Sequence, residues 1–345
     1  MLLTKEEIQQ QTRELWKTCF NDSEEFMDIY FDEKYSDAVN HTLRPDGRVV
    51  AAMQLLPYRM TFYNNILHAG YVSGLCVHPD YRRRGLASQL LREAHRKLYK
   101  QGGALSFLIP GSDELRHYYE RMQHGAYWTS TFRLETEVED SGITDDSLTI
   151  SQPDEWGTDL YVFYRRNVVQ DFMLHPAEND FFAALAACDL ENGYVLVVCR
   201  KNRIVGLTLA VPEADGRVFL RSTLSADFAV KDLVVRHLKR ECGVDKIYMR
   251  VPVGGDTEGA QPYAMARVVN VERFLRAVVH ANPEFKIHIG VDGDLDVPEN
   301  NGYYLVRDGK VTITDRRPGD IVTPGGLAAL FLGSQPMRCE MMLDE

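Results

Sequence analysis

The stretch that decides the reading is VHPDYRRRGLASQLL, residues 77–91, which sets Arg82, Arg83 and Arg84 against Gly85 at the start of an apolar-periodic run. If a helix begins near Gly85, its first amides have no intrahelical acceptor and point back toward the loop, where the helix dipole adds partial positive charge. Gly85 carries no β-carbon to hold a phosphate off the main chain, and Ala87 keeps the next turn slim. The arginines add charge and forked donors. Leu86, Leu90, Leu91, Ala94 and Leu98 then fall on one stripe, with Arg92, Glu93, Arg96 and Lys97 facing outward. The preceding GLCV, residues 74–77, reads as a strand. Strand, short basic glycine loop and amphipathic helix is the order of a diphosphate cradle. The competing reading is a solvated basic turn before an ordinary surface helix.

The rest of the composition sharpens the contrast. The 345 residues carry a formal charge of −11, so a general nucleic-acid binder, which needs broad basic surface, is excluded, and any anion site is local. Cys19, Cys76, Cys188, Cys199, Cys242 and Cys339 lack the short paired spacing of a zinc site and the density of a disulfide scaffold. Reduced thiols and no metal are expected. No apolar run approaches the roughly 20 residues of a membrane span, and a cytoplasmic location is expected.

The chain is long enough for two or three domains. Residues 5–31 carry two amphipathic helical patterns, separated by Asn21-Asp22-Ser23, where Asp22 or Ser23 can cap. Residues 46–77 read as strands parted by turns at Asp46-Gly47 and Asn64-Asn65. The arginine loop, a helix to about Lys100, a Gly102-Gly103 break and a strand at ALSFLIP follow. The acidic stretch 137–147 marks a boundary. Residues 193–224 then repeat the strand, turn and strand order of 46–77, and residues 225–251 give helix and strand, with SADFAVKDL where the first copy has RRRGLA. After a glycine-rich linker at 252–262, a helix is expected at Val268–Val279. Strands with an Asp308-Gly309 turn follow, then a helix capped by Thr323-Pro324 and running to Leu332. Three units are expected: 1–136, 137–262 and 263–345.

No G-x-G-x-x-G follows a strand and no G-x-x-x-x-G-K-[ST] is present, so the nicotinamide and ATP phosphate loops lose their main signatures. VHPDYRRRGLASQLL instead resembles the acetyl-CoA loop of the GNAT acetyltransferases, whose short pattern Q/R-x-x-G-x-G/A is met by Arg82, Gly85 and Ala87. YYERMQHGAYW, residues 118–128, resembles the family's Y-E-x-x-G-[FY] element with two extra residues, and LWKTCFNDSEEF resembles its start. The resemblance implies an α/β to α+β fold with mixed, mostly antiparallel sheets flanked by helices. It implies that main-chain amides from Arg83 through Leu86 and Ala87 to Ser88 hold the pyrophosphate of acetyl-CoA. It further implies that the edge at Leu75, Cys76 and Val77 pairs with the pantetheine arm and offers an oxyanion donor.

Tyr119 best matches the family's general acid, with Tyr118 and Tyr127 as runners-up. A phenol, with its pKa of ~10, keeps its proton at neutral pH for a departing thiolate. The base is not readable. His78, His117, His124 and Glu114 lie near the motif, and Cys76 has no partnered histidine at readable spacing, so direct transfer is favoured over a covalent intermediate. The order of two such units, the second degenerate, and a small terminal unit is similar to the bacterial enhanced intracellular survival (Eis) acetyltransferases. That likeness implies a sterol-carrier-like third unit, amine acceptors such as aminoglycosides or lysine side chains, a homo-oligomer, and a terminal carboxylate, here Glu345, as base. The competing class is a non-catalytic carrier of acyl-CoA or lipid.

Overall fold

The computed structural model describes residues 3–122, 126–168 and 170–339. Helices α1 (Lys5–Phe20) and α2 (Glu24–Glu33) precede strands β1 (Asn40–Leu43), β2 (Ala51–Phe62) and β3 (Asn65–Val77). Then come α3 (Leu86–Lys100), β4 (Leu105–Leu108), α4 (Asp113–Arg121), β5 (Trp128–Thr129), β6 (Phe132–Glu137) and β7 (Leu148–Ser151). The middle of the chain forms α5 (Thr158–Asn167), β8 (Met173–His175), α6 (Glu178–Leu190), β9 (Tyr194–Arg200), β10 (Arg203–Pro212), β11 (Val218–Ser225), α7 (Phe228–Cys242) and β12 (Ile247–Val253). The remainder is β13 (Gln261–Pro262), β14 (Met265–Val268), α8 (Val271–Ala281), β15 (Ile287–Val291), β16 (Gly302–Arg307), β17 (Lys310–Thr314), β18 (Asp320–Val322) and α9 (Pro324–Leu332).

Local chemistry sets the entry of the chain. Thr4 and Glu7 form a reciprocal capping box at α1, Asn21 ends that helix in the left-handed region, and Ser23 caps α2 by accepting from the Phe26 amide. Asp22 instead accepts from Trp16 Nε1 at 2.7 Å. The first sheet has the order β1-β2-β3-β4-β14-β5, with β8 added to β2. Its strands are antiparallel except for β3 and β4, which α3 connects in parallel. The second sheet, β13-β6-β12-β11-β10-β9-β7, repeats the device, with α7 carrying β11 into a parallel β12. The third sheet is β17-β16-β15-β18.

The units expected at 1–136, 137–262 and 263–345 are interleaved through their strands. β6 lies in the second sheet against β12, β14 lies in the first between β4 and β5, and β8 crosses to β2. The same happens in the cores. α3 packs Leu90, Leu91, Ala94 and Leu98 on one face of the first sheet. On the other face Leu56, Tyr58, Met60 and Phe62 share a single apolar cluster with Phe274 of α8, Leu327 of α9 and Ile289 of the third sheet. Phe62 stacks on Phe274 at 4.8 Å. The third unit thus closes its interior against the first sheet.

Three sequence expectations are corrected. The helix expected over Val268–Val279 begins at Val271, because Val268 completes β14 and Asn270 caps by accepting from the Arg273 amide at 3.0 Å. The hairpin turn falls on Tyr63-Asn64, with φ of 47° and 58°, rather than on Asn64-Asn65, since Phe62 and Asn65 are paired. Asp171 accepts the Asn64 amide and Phe172 packs edge-on against Tyr63, which hold that turn. The linker expected at 252–262 is clamped at both ends, in β12 and by β13 on β6. By contrast, α9 starts at Thr323-Pro324, and Asp308-Gly309 forms the expected turn with φ of 53° and 72°. No helix among the described residues is long and apolar enough to cross a membrane.

Candidate active site at the fork between two parallel strands

β3 and β4 pair only over Ala69–Tyr71 against Leu105–Phe107, after which they part. β3 runs six residues further, to Val77, while β4 is held by β14 on its other side through Leu108. A bulge helps to turn β3 away. The register with β2 shifts between Ala52 and Gln54, and opposite the shift lies Gly74 at φ +59°, where a β-carbon would come within 2.0 Å of the Trp16 ring. Beyond the bulge the His78 amide donates to Val50 O at 2.8 Å. By strand alternation, Cys76 then turns its main chain to β2 and Val77 turns its amide to the open fork. Both crossovers, to α3 and α4, leave from this end, the carboxyl end of parallel strands where open α/β sheets take ligands.

The arginine loop closes the fork. Pro79–Tyr81 form a 3-10 turn, Arg83 is left-handed at φ 62°, and Gly85 is the N-cap of α3 at φ 76°. Arg82 to Gly85 are exposed, and a β-carbon at Gly85 would meet nothing within 4 Å. The first turn of α3 holds no acidic residue and receives no side-chain cap. The main chain at the start of α3 is thus left without a covering side chain at Gly85 and without a side-chain cap. The arginines divide their work. Arg82 Nε donates to Val77 O at 3.2 Å and ties the loop to the strand, whereas Arg84 donates to Asp80 O at 2.8 Å and lies over the Tyr81 ring.

In the second unit the corresponding helix start is capped by its own side chain. Asp227 caps α7 by accepting the Val230 amide at 3.1 Å, and Arg200 donates to the same carboxylate at 2.8 Å. The Arg200 hydrogen bond and then the Val230 amide hold that carboxyl below its ordinary range, so it stays charged.

The three tyrosines part company in the fold. Tyr118 is exposed. Tyr127 is buried with its hydroxyl 2.7 Å from His95 Nε2 and 2.8 Å from Ser106 Oγ. Because His95 Nδ1 lies 2.7 Å from Asp296, the arrangement that satisfies every atom has His95 donating to Asp296 and accepting from Tyr127, which commits the Tyr127 proton. Tyr119, on α4, is buried in the apolar cluster that also holds Leu108 and Met122 and that Leu75, Val77 and Leu86 border, with its ring against Tyr118 and Tyr127. Burial pushes its phenol well above the ordinary value and keeps it protonated.

Of the remaining candidates, His117 is exposed and pairs with Glu120 on its own helix at 3.2 Å. His78 Nδ1 accepts from the Asp80 amide, and Glu114 borders a shallow recess with Tyr118 and Arg121. His124 and Glu345 lie outside the described residues. The site also contains a group that sequence reasoning passed over. Cys19, at the end of α1, reaches Val77 O at 3.5 Å; the Cys76 thiol, and then Arg82, pull its own thiol down to about 6. The Cys19 hydrogen bond and then burial push Cys76 up, which suits a packed thiol and not a nucleophile. Gly74 inside an apolar strand was the readable signal for the bulge. Nothing local announced Cys19 beside Cys76, 57 positions away. No cluster of three metal-ligating side chains occurs among the described residues.

The forked sheet belongs to an acyltransferase, as the following likenesses show. Residues 2–126 match the model of the acetyltransferase (GNAT) domain, so the chain carries such a domain. The whole fold is shared with three solved structures. These are a GCN5-related N-acetyltransferase from Anabaena variabilis (18% identity, 95% of this chain and 88% of that one, TM-score 0.72), a probable N-acyltransferase from Enterococcus faecalis (17%, 97% and 89%, 0.73) and Eis1 from Mycobacterium abscessus (14%, 97% and 89%, 0.74). At these identities the likeness is one of fold. No curated protein sequence matches the chain.

Proposed function

We propose that the protein transfers the acetyl group of acetyl-CoA directly to a primary amine. The observation that carries this reading is the contrast between the two helix starts. α3 opens bare amides beside an unpaired strand edge, and α7 closes the same position with Asp227. Amides from Arg83 to Ser88 hold the diphosphate. The edge at Leu75 and Val77 aligns the amide-bearing pantetheine arm, and an amide of that edge receives the oxyanion formed when the amine attacks the thioester carbon. Collapse breaks the carbon–sulfur bond, and Tyr119 supplies the proton that the departing thiolate requires. The amine proton leaves to solvent, with no side chain assigned as base. The terminal carboxylate of Glu345 and the sterol-carrier likeness of the third unit belong to the same reading through the Eis resemblance.

The acidic balance of the chain favours a cationic acceptor, such as an aminoglycoside or a lysine side chain, by long-range attraction. The test is acetyl-CoA turnover against a panel of amines, read by release of free thiol. Turnover with at least one amine, abolished by Gly85→Glu, is the expected result. Binding of acetyl-CoA without turnover on any amine would instead establish a carrier.

A further inference from the structure

At the far end of the first sheet, roughly 30 Å along β3 from Val77 by strand rise, a cavity of about 540 Å³ lies between the sheet and α5. The size falls within the range of small-molecule sites. Its floor is the junction of β2 and β8, where Arg59 and His175 are direct cross-strand partners and Thr61 hydrogen-bonds His175 Nε2. Its roof is α5, which contributes Tyr161, Tyr164 and Arg165.

The charge of this lining is unlike that of the chain. Acidic residues outnumber basic ones by 50 to 39 overall, yet among the described residues no aspartate or glutamate lines the cavity. Among the described residues neither Arg59 nor Arg165 forms an ion pair; Arg165 lies over the Tyr161 ring at 5.9 Å and hydrogen-bonds its hydroxyl, which Glu178 and Asp180 also act on. Burial and then Arg165 lower the His175 ring below its ordinary value, so it stays neutral rather than add a third positive charge. Arg59 and Arg165, both exposed, line the one cleft, and an anion bound there would take charge-assisted hydrogen bonds from them. Arginine forks match carboxylate and phosphate oxygens, while Tyr161, Tyr164 and the exposed Ile66 offer flat apolar surface.

We propose that this cleft binds a small organic anion, a carboxylate or phosphate ester with an aromatic or apolar body, across the seam between the first and second units. The full-length protein would be titrated calorimetrically with benzoate, phenyl phosphate, the neutral analogue benzamide and inorganic phosphate, with Arg59→Gln and Arg165→Gln as variants. Saturable binding of benzoate or phenyl phosphate is expected, and whichever binds tighter identifies the headgroup. Each substitution should weaken it about tenfold or more, the loss of one charge-assisted hydrogen bond. Benzamide and inorganic phosphate should bind more weakly, since one lacks the charge and the other the body. Saturating coenzyme A should leave the affinity unchanged, and both variants should retain acetyl-CoA turnover. The proposal is overturned if neither aromatic anion saturates, if the variants bind as well as wild type, if benzamide matches benzoate, if inorganic phosphate matches phenyl phosphate, or if coenzyme A competes. Turnover failing in the wild type would instead strike at the acyl-transfer reading alone.

Discussion

Replacing Gly85 with alanine separates the grip on the donor from the stability of the fold. A β-carbon there meets no atom within 4 Å, so the substitution costs only what the left-handed backbone at φ 76° charges an L-residue. That penalty is about 1–2 kcal/mol, offset in part by about 0.4–1 kcal/mol from the stiffer unfolded chain. A net loss near 1 kcal/mol moves the melting temperature by only a few degrees in a chain of this size. The new methyl group, however, stands where a diphosphate must approach the main chain. Each amide hydrogen bond to a charged oxygen is worth about 1.5–3 kcal/mol, so loss of one weakens coenzyme A roughly 10- to 150-fold. Gly74→Ala gives the opposite pattern. Its β-carbon would fall 2.0 Å from a Trp16 ring carbon and 2.7 Å from Gln54 Oε1, at φ 59°, and overpacking plus backbone strain amount to about 3 kcal/mol or more. Thermal melts and calorimetric titration of coenzyme A on both variants decide the matter. Should Gly85→Ala bind coenzyme A within about twofold of wild type, the bare main chain is not what holds the donor.

Tyr119→Phe should lower turnover by about a hundredfold or more while leaving donor affinity intact, measured by steady-state kinetics beside calorimetry. Tyr127→Phe should instead destabilise by about 1–3 kcal/mol, because His95 and Ser106 lose a buried partner; chemical denaturation measures it. The Cys19 thiol, drawn down to about 6 by Cys76 and Arg82, is deprotonated above that pH. Its alkylation by iodoacetamide, followed by mass spectrometry, should therefore be level from about pH 7 upward and fall about tenfold per unit well below 6, with Arg82→Gln moving the bend upward; a rate still climbing at pH 8 would contradict the geometry. Lys34 pairs with Asp180 where α2 meets α6, both buried. Lys34→Met should cost about 3–5 kcal/mol by stranding that carboxylate, and a second change, Asp180→Ala, should return part of the loss.

The legible parts of this protein are those whose physics is local. The loop at 82–88 could be read because glycine, arginine and the helix stripe act over a single turn, and Thr323-Pro324 or Asp308-Gly309 announce a helix start and a turn by backbone preference alone. The repeated order of strands was visible for the same reason, and so was the missing glycine in SADFAVKDL. What that absence does, with Asp227 seated on the helix it precedes and braced by Arg200, needed the fold, since the brace comes from another strand.

Long-range choices were beyond any window of sequence. Val268 reads as the first residue of a helix, yet it closes β14, which pairs with the edge of β4. Tyr118, Tyr119 and Tyr127 are alike on paper; burial, the apolar wall and the His95 hydrogen bond distinguish them. By itself the sequence determined the glycine at the start of α3, the helix that follows it and the repeated order of strands, because each follows from neighbours along the chain. Only the tertiary structure decided where β3 and β4 part, which phenols are buried and how Cys19 meets Cys76, because those depend on side chains that chain order keeps far apart.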